Sequence, residues 1–511
     1  MKRRPYLPLF IAALLVLSLV LTACGGNGAE QSSGGKTETS TADGDPSPVY
    51  NYGPADYGDF PYANLKLDPD QPIRLLCVDS DRHIYGEQQF SYDSEKDGNA
   101  INGAVQERNN LLEEKYGIVF ELYPEKYPGE KLALMLESGT DAYDLICESV
   151  DRLLVGTVTN YYVALDGYMD FSHPWWDGQA IESLALSDKH FLLAGAAILT
   201  DDDNTYLTLY NKDMYAANSD LSSYGNIYDI VRNGDFTIDL YYEMCKKVSH
   251  ADASGQWGFD ATYGNLSHAY GATVMMNGCN VSTVVKDEGN NLSLNVMTER
   301  SVGAFDKVYE LMSDQQNTQR AELLITVPGT YGFAELEQMF VGGRGLFYNT
   351  TSSSVSILKS KSRSFEFGVL PIPKLESSQE HYCNTVNRYQ SSALAIPSSV
   401  SSSRVPEVVF AIQALGFYNS DVIRAYYRTT LQLQAMDTSD DAEMLDIVYN
   451  NRFYDIGAIF GWGNGANSLE SIYGTVIADS ASNTLASRWD SAEDSIVNDM
   501  EATLKAYNEQ N

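Results

Sequence analysis

Ile73-Arg74-Leu75-Leu76-Cys77-Val78 is a short, almost wholly apolar run that reads as a strand. Just downstream, Ile101, Ala104, Val105, Leu111 and Leu112 fall on one helical face between Ala100 and Tyr116, and Gly117 supplies the stop. Residues 118–122 read as a second strand. A helix over about 130–137 halts before Gly139, and residues 143–147 read as a third strand. Strand and helix alternate, which implies an α/β fold built on a largely parallel sheet covered by helices.

The same texture returns later. Leu240, Tyr241, Met244, Cys245 and Val248 mark a helix with Thr237 as its expected N-cap. Phe305, Tyr309 and Met312 mark another. Phe333, Leu336 and Phe340 mark a third, followed by a strand over 345–348. Residues 365–370 and 393–396 are short strands near Pro371, Pro373 and Pro397, and helices are expected over 405–418 and 485–507. No internal repeat of fixed period is present. A chain of 511 residues exceeds what one compact core usually needs, so two domains are expected.

At the N-terminus, Lys2, Arg3 and Arg4 precede an apolar run over residues 7–21, the build of a signal peptide over residues 1–23. The run closes on Leu21-Thr22-Ala23-Cys24-Gly25, which resembles the lipobox of bacterial lipoprotein precursors. That resemblance implies cleavage before Cys24, acylation of Cys24 and an extracytoplasmic, lipid-anchored protein. Residues 24–67 are poor in large aliphatics and rich in Ser, Thr, Gly, Pro and Asp, so a disordered tether is expected there. The formal net charge is −35. Such a surface repels nucleic acid, and no phosphate-backbone partner is expected.

Four segments occur in a suggestive order: Tyr210-Asn211-Lys212-Asp213-Met214; Gly234-Asp235-Phe236-Thr237-Ile238-Asp239-Leu240 running into Cys245-Lys246-Lys247; Met339-Phe340-Val341-Gly342-Gly343-Arg344-Gly345-Leu346-Phe347; and Phe367-Gly368-Val369-Leu370-Pro371-Ile372-Pro373-Lys374. With these segments the chain resembles the extracellular solute-binding proteins of family 1, the maltose-binding-protein-like group, from about Asp68 to the C-terminus. It departs from them at Phe236, where tryptophan is usual, and over residues 81–99, which look inserted. The resemblance implies a two-lobe periplasmic-binding-protein-like fold, each lobe a mostly parallel sheet flanked by helices, joined by hinge strands. Lobe one would take 68–205 and 365–415, and lobe two 206–364 and 416–511. It further implies a monomer that captures a small solute, a carbohydrate or oligosaccharide, in the interlobe cleft. The partner would be the transmembrane permease subunits of an ABC transporter. No cofactor, metal or catalysis is implied.

Sugar sites combine aromatic faces with a few placed polar groups, and 35 tyrosines and 5 tryptophans suit that. Open parallel sheets place ligands beyond the carboxyl ends of their strands. That rule selects Glu148, Asp151 and Arg152 after the third strand; an N-cap and a surface ion pair are the alternative for the latter two. By family position Asp203 and Asn204 lie near hinge and cleft, against the alternative of a solvated acidic turn; the tract lacks the spacing of a calcium loop. Tyr263 and Asn265, with Trp257, occupy a stretch where the family often contacts ligand. Asn349 follows a strand and opens a helix. Trp462, between Gly461 and Gly463, is either a stacking platform or a buried anchor for its loop. Trp175 and Trp176 read as packing residues.

Six cysteines are present, none in CxxC spacing, which disfavours structural zinc; Cys77, Cys147 and Cys245 read as buried thiols. No G-x-S-x-G, H-E-x-x-H or P-loop occurs. A secreted carbohydrate-active hydrolase is the alternative function.

Overall fold

A computed structural model describes residues 57–96, 98–287, 289–325, 330–427, 439–479 and 481–510. The expected signal peptide, Cys24 and the tether up to residue 56 lie outside these. In chain order the strands are β1 (Ile73–Val78), β2 (Phe120–Glu125), β3 (Leu145–Ser149), β4 (Tyr206–Asn211), β5 (Tyr263–Ser267), β6 (Val284–Lys286), β7 (Leu292–Leu294), β8 (Thr318–Arg320), β9 (Gly345–Thr351), β10 (Phe367–Leu370), β11 (Asn384–Thr385), β12 (Ser392–Ala395) and β13 (Arg452–Phe453).

Two sheets organise the chain. The first runs β12-β3-β1-β2, with β1 parallel to β2 and β3 and with β12 antiparallel to β3. Leu75, Leu76, Cys77, Leu145 and Ile146 are all buried, because helices cover both faces. This explains why β1 reads as a continuous apolar run rather than an alternating one. The helix Ala100–Tyr116 is capped by Asn99, which accepts from the amides of Ile101 and Asn102. It ends at Gly117, φ +65°, where an added Cβ would lie 2.1 Å from the Leu67 carbonyl oxygen. Glycine is required there twice over, by handedness and by space.

The second sheet runs β10-β4-β9-β5-β8. β5 is parallel to β8 and β9, while β4 is antiparallel to β9 and β10. The helix Ile238–Val248 packs on it behind its Thr237 cap, burying Tyr241, Met244, Cys245 and Val248. Trp175 and Trp176 are buried, and both indole N–H groups donate to Gln413 Oε1, at 2.7 and 3.2 Å. They are packing residues, as the sequence suggested.

The chain crosses between the sheets in three adjacent segments. Thr205 bridges Val386, Asn387 N donates to Asn204 O at 2.9 Å, and β11 pairs with β13. At this junction the buried Arg452 is met by three carboxylates. Its Nε lies 2.8 Å from Asp177 Oδ2, and its Nη1 lies beside Asp202 and 3.8 Å from Asp201 Oδ2.

The sheets divide the chain differently from the expected lobe boundaries. β10 falls in the second sheet, not lobe one, because it pairs antiparallel with β4, a partnership that segment order cannot reveal. The helix Ser420–Tyr426 packs on lobe one, not lobe two: Asn419 accepts from Arg108, and Tyr426 meets Tyr85 edge-on. The C-terminal helix Leu485–Glu509 starts beside lobe two, where Asn483 donates to Asp306 at 2.9 Å. It ends on lobe one, where Tyr507 packs on Phe191 and Lys189 reaches the Gln510 carbonyl. Packing also begins before the expected end of the tether. Phe60 is buried among Tyr116, Phe410 and Phe417, since its ring completes an aromatic cluster at that end of lobe one.

Candidate functional site

The carboxyl ends of β5 and β9 border a recess beside the crossing turn 387–391, and the end of β3 is bonded to the same turn through Val150 N and Asp151 N. After β1 the chain turns at Asp79, whose carboxylate accepts from Arg82 N, and this brings Arg82 and His83 to the end of β3. Arg82 donates to Glu148 Oε1 at 2.6 Å and to Ser149 Oγ at 2.8 Å. Glu148 is fully buried and also accepts from Gly129 N at the start of the helix Pro128–Glu137. The carboxylate is therefore occupied by a cation and a helix N-terminus, a positioning role rather than a ligand contact.

Asp151 and Arg152 part company. Arg152 turns outward to Glu130 at 2.8 Å and lies over the Tyr127 ring, 4.3 Å from its centroid. Asp151 faces the crossing turn: its amide donates to Arg388 O, and its Oδ1 is buried without a partner. Asn204 Oδ1 and Ser391 Oγ, at the same turn, are buried and unpartnered too. Buried polar atoms are usually paired, so these three leave hydrogen-bonding capacity unused around the crossing turn.

Asp203 and Asn204 are both buried, not a solvated turn. Asp203 Oδ1 accepts from Tyr426 OH at 2.7 Å, and Oδ2 lies 3.6 Å from His83 Nε2. Asn204 Nδ2 donates to Thr200 O at 2.9 Å and lies 3.0 Å from His83 Nε2. Burial pushes the Asp203 carboxyl up to about 7 and Asp202 up to about 6, and raises Asp201 well above the usual range. Arg452 opposes the shift at Asp201 and Asp202, but one guanidinium cannot neutralise the whole group. Burial, with Arg82 nearby, lowers His83 to about 4, so its imidazole is neutral at pH 7.

Beside the crossing turn, lobe two forms a recess of about 380 Å³ whose lining includes Tyr206, His268, Phe333, Tyr348, Asn387 and Gln390. Tyr206 OH and His268 Nε2 lie 3.5 Å apart, and burial lowers His268 to about 4. Arg388 in the crossing turn pairs with Glu470 at 3.0 Å, and Glu337 at the recess pairs with Lys361. Among the described residues no group of His, Cys, Asp and Glu is arranged to hold a metal ion, and no helix is long and apolar enough to cross a membrane.

Four expected contacts have side chains engaged elsewhere. Tyr263 begins β5, at the end away from the cleft, and its buried ring packs on Trp257. Asn265 accepts from Tyr241 OH at 2.9 Å and donates to Thr318 Oγ1, a network under the helix Ile238–Val248. The Asn349 side chain joins that network through Thr208 and Tyr241, although the residue borders the recess. Trp462 is the anchor, not the platform. It is 4% exposed, lies 5.1 Å from Phe460 in a stacked pair and donates to Thr503 Oγ1 at 2.9 Å. The reading missed His83, His268 and Phe333. Applied to β5 as it was to β3, the strand-end rule would have found His268, the first residue after that strand.

No protein-family profile and no characterised protein sequence matches the chain. Its fold does match solved structures. A cyclo/maltodextrin-binding protein complexed with maltotetraose superposes with a TM-score of 0.54 at 13% identity, covering 87% of this chain and 98% of that one. UgpB from Mycobacterium tuberculosis, in complex with glycerophosphocholine, gives 0.52 at 14% identity, covering 85% and 99%. The fold is the two-lobe α/β fold of the periplasmic-binding-protein type.

Proposed function

We propose that this chain is the extracytoplasmic solute receptor of an ABC import system, a family 1 lipoprotein held at the membrane through Cys24. It captures a small solute, a carbohydrate or oligosaccharide, between its lobes and delivers it to the transmembrane permease subunits. It acts as a monomer and without chemistry on the solute. The carrying observation is the aromatic recess beside the crossing turn, where Asp151, Asn204 and Ser391 keep polar atoms without partners. That combination suits a polyhydroxylated ring, with hydroxyls on one side and C–H faces on the other. The two fold neighbours bind a saccharide and a polar phosphodiester by their own descriptions.

The hydrolase alternative needs two carboxylates free to act across a bond. Around this cleft Glu148, Glu470 and Glu337 are each held by a cation, and Asp203 is buried against Tyr426, which leaves Asp151 as the carboxylate at the crossing turn with an oxygen to spare. A thermal-shift screen of sugars, polyols, glycerophosphodiesters and peptides tests the proposal. A ligand should raise the melting temperature in proportion to RT ln(1 + [L]/Kd) and be recovered intact. Turnover of a sugar, with no compound stabilising the protein, would sink the receptor reading. Cys24→Ser should move the protein from membrane to soluble fraction.

A further inference from the structure

The charges around the recess do not cancel. Among the described residues its lining holds no lysine or arginine, and its one charged member, Glu337, is paired with Lys361. The cations nearby are engaged. Arg388 Nη2 lies 3.0 Å from Glu470, and Nη1 donates to the carbonyls of Ala458 and Ile459. Its Nε is buried without a partner, a donor whose charge Glu470 already balances. Arg82 is taken by Glu148. Two acids keep capacity unused. Asp151 Oδ1 is buried without a partner, and so is Glu322 Oε2, while the other Glu322 oxygen accepts from Ala269 N at 2.8 Å. Arg320, just before Glu322 in the chain, feels its charge without bonding to it: Nη1 donates to Ile477 O, and Nε and Nη2 are buried without partners.

The loop His268-Ala269-Tyr270 after β5 brings these acids to one place. Ala269 N holds Glu322. The Tyr270 ring lies 6.1 Å from Tyr206 and 6.1 Å from His268, both in the recess wall. Burial, then Tyr206 and Glu470, raise the Tyr270 hydroxyl while Arg388 opposes them, so that hydroxyl sits close to the Arg388–Glu470 pair. Burial also raises Glu470, Arg388 opposes that shift, and Asp151 adds to it, which sets Asp151 beside the same pair. A buried carboxylate oxygen with nothing to accept from is more costly than an unpaired neutral group. Aromatic faces beside it attract a cation.

We propose that the solute carries a positive charge: the cleft takes a saccharide bearing a protonated amine, and Asp151 and Glu322 are the acids that select it. The inference rests on the carbohydrate reading of the cleft and goes beyond it by fixing the sign of the solute's charge. An ammonium group supplies both donors and a positive charge, which is what those carboxylate oxygens lack. A neutral hydroxyl fills the hydrogen bond and leaves the charge unmatched. An anionic sugar would meet acids with no lysine or arginine in the recess wall to receive it.

The experiment is calorimetric titration of the mature chain with matched sugars that differ in the charge of one substituent. The set is glucose, glucosamine, N-acetylglucosamine and glucuronate, their galactose counterparts, and cello-, chitosan and chitin oligosaccharides of two to four rings, with choline and glycerophosphocholine alongside. In a ring series that binds, the ammonium form should bind roughly tenfold tighter than the neutral form, the margin of a charge-assisted hydrogen bond over a neutral one, and the carboxylate form should bind weakest. Asp151→Asn and Glu322→Gln keep shape and an acceptor oxygen and remove the charge. Each should shrink the ammonium preference while leaving the affinity for the neutral sugar little changed. The melting temperature of ligand-free Glu322→Gln should hold, because its amide oxygen can still accept from Ala269 N. Neutral and ammonium forms bound alike overturn the charge inference and leave the carbohydrate reading standing. A preference that survives both substitutions overturns it too, since Asp151 and Glu322 are then not its source. Choline or glycerophosphocholine bound, with no saccharide of any charge bound, overturns both this inference and the carbohydrate reading.

Discussion

At the scale of single residues, partners decide role more than position does. Glu148 stands at the end of β3, where ligands are met, yet its carboxylate is committed to Arg82, Ser149 N and Gly129 N. Glu148→Leu should leave Arg82 half-buried and uncompensated and cost about 3–5 kcal/mol of stability in denaturant titration. Asp151 is the reverse case. Its Oδ1 lacks a partner, so Asp151→Ala should change stability little and lower solute affinity by roughly 1–3 kcal/mol in calorimetry. Trp462 tests the distinction from the other side. Its glycine neighbours do not present a ring to ligand; Gly461, Gly463 and Gly465 have φ of +64°, +102° and +54° and let the loop fold under the C-terminal helix. Trp462→Ala should cost about 3–5 kcal/mol and leave affinity in the folded fraction unchanged.

At the scale of elements, β1, the helix Ala100–Tyr116 and the helix Ile238–Val248 were legible because each carries its own periodicity and caps. β10 was found as a strand but placed in the wrong lobe, since antiparallel pairing with β4 is not a property of either segment alone. The site was half legible for a related reason. Asp151 follows the end of β3 in sequence and Asn204 lies just before β4, but Tyr263 and Asn265 sit within β5, where direction and alternation send one to the far end and one to the inner face. Gly117 tests the local logic. Gly117→Ala meets both a left-handed backbone and the Leu67 carbonyl, and should destabilise lobe one by more than the roughly 1 kcal/mol of the αL penalty alone, as read from the melting temperature.

At the scale of the whole molecule, proton uptake at the crossover should show in stability. Asp202 and Asp203 titrate near 6 and near 7 in the fold, above the ordinary carboxyl range, so the folded state holds protons that the unfolded state releases. Their contribution is complete below about pH 4 and is lost as pH rises through 6 to 7. His83 and His268 act oppositely. Both are lowered to about 4, so their contribution is present above about pH 6.5 and is lost as pH falls toward 4. Melting temperature should therefore rise as pH drops from 8 to 6.5 and flatten below that. Asp203→Asn should remove much of the slope between 8 and 6.5, and a slope unaltered in that variant would exclude Asp203 as its source.

The C-terminal helix Leu485–Glu509 has a mechanical consequence. At 1.5 Å per residue it is a rod of roughly 37 Å, pinned near Asp306 at one end and near Phe191 and Lys189 at the other. A stiff strut with its ends on different bodies fixes the span between two points. Opening of the cleft must then pivot so that this span is kept, which makes the helix side the hinge side and the opposite rim the one that travels. Spin-label distances across the cleft should change least beside residues 485–509 and most at the far rim.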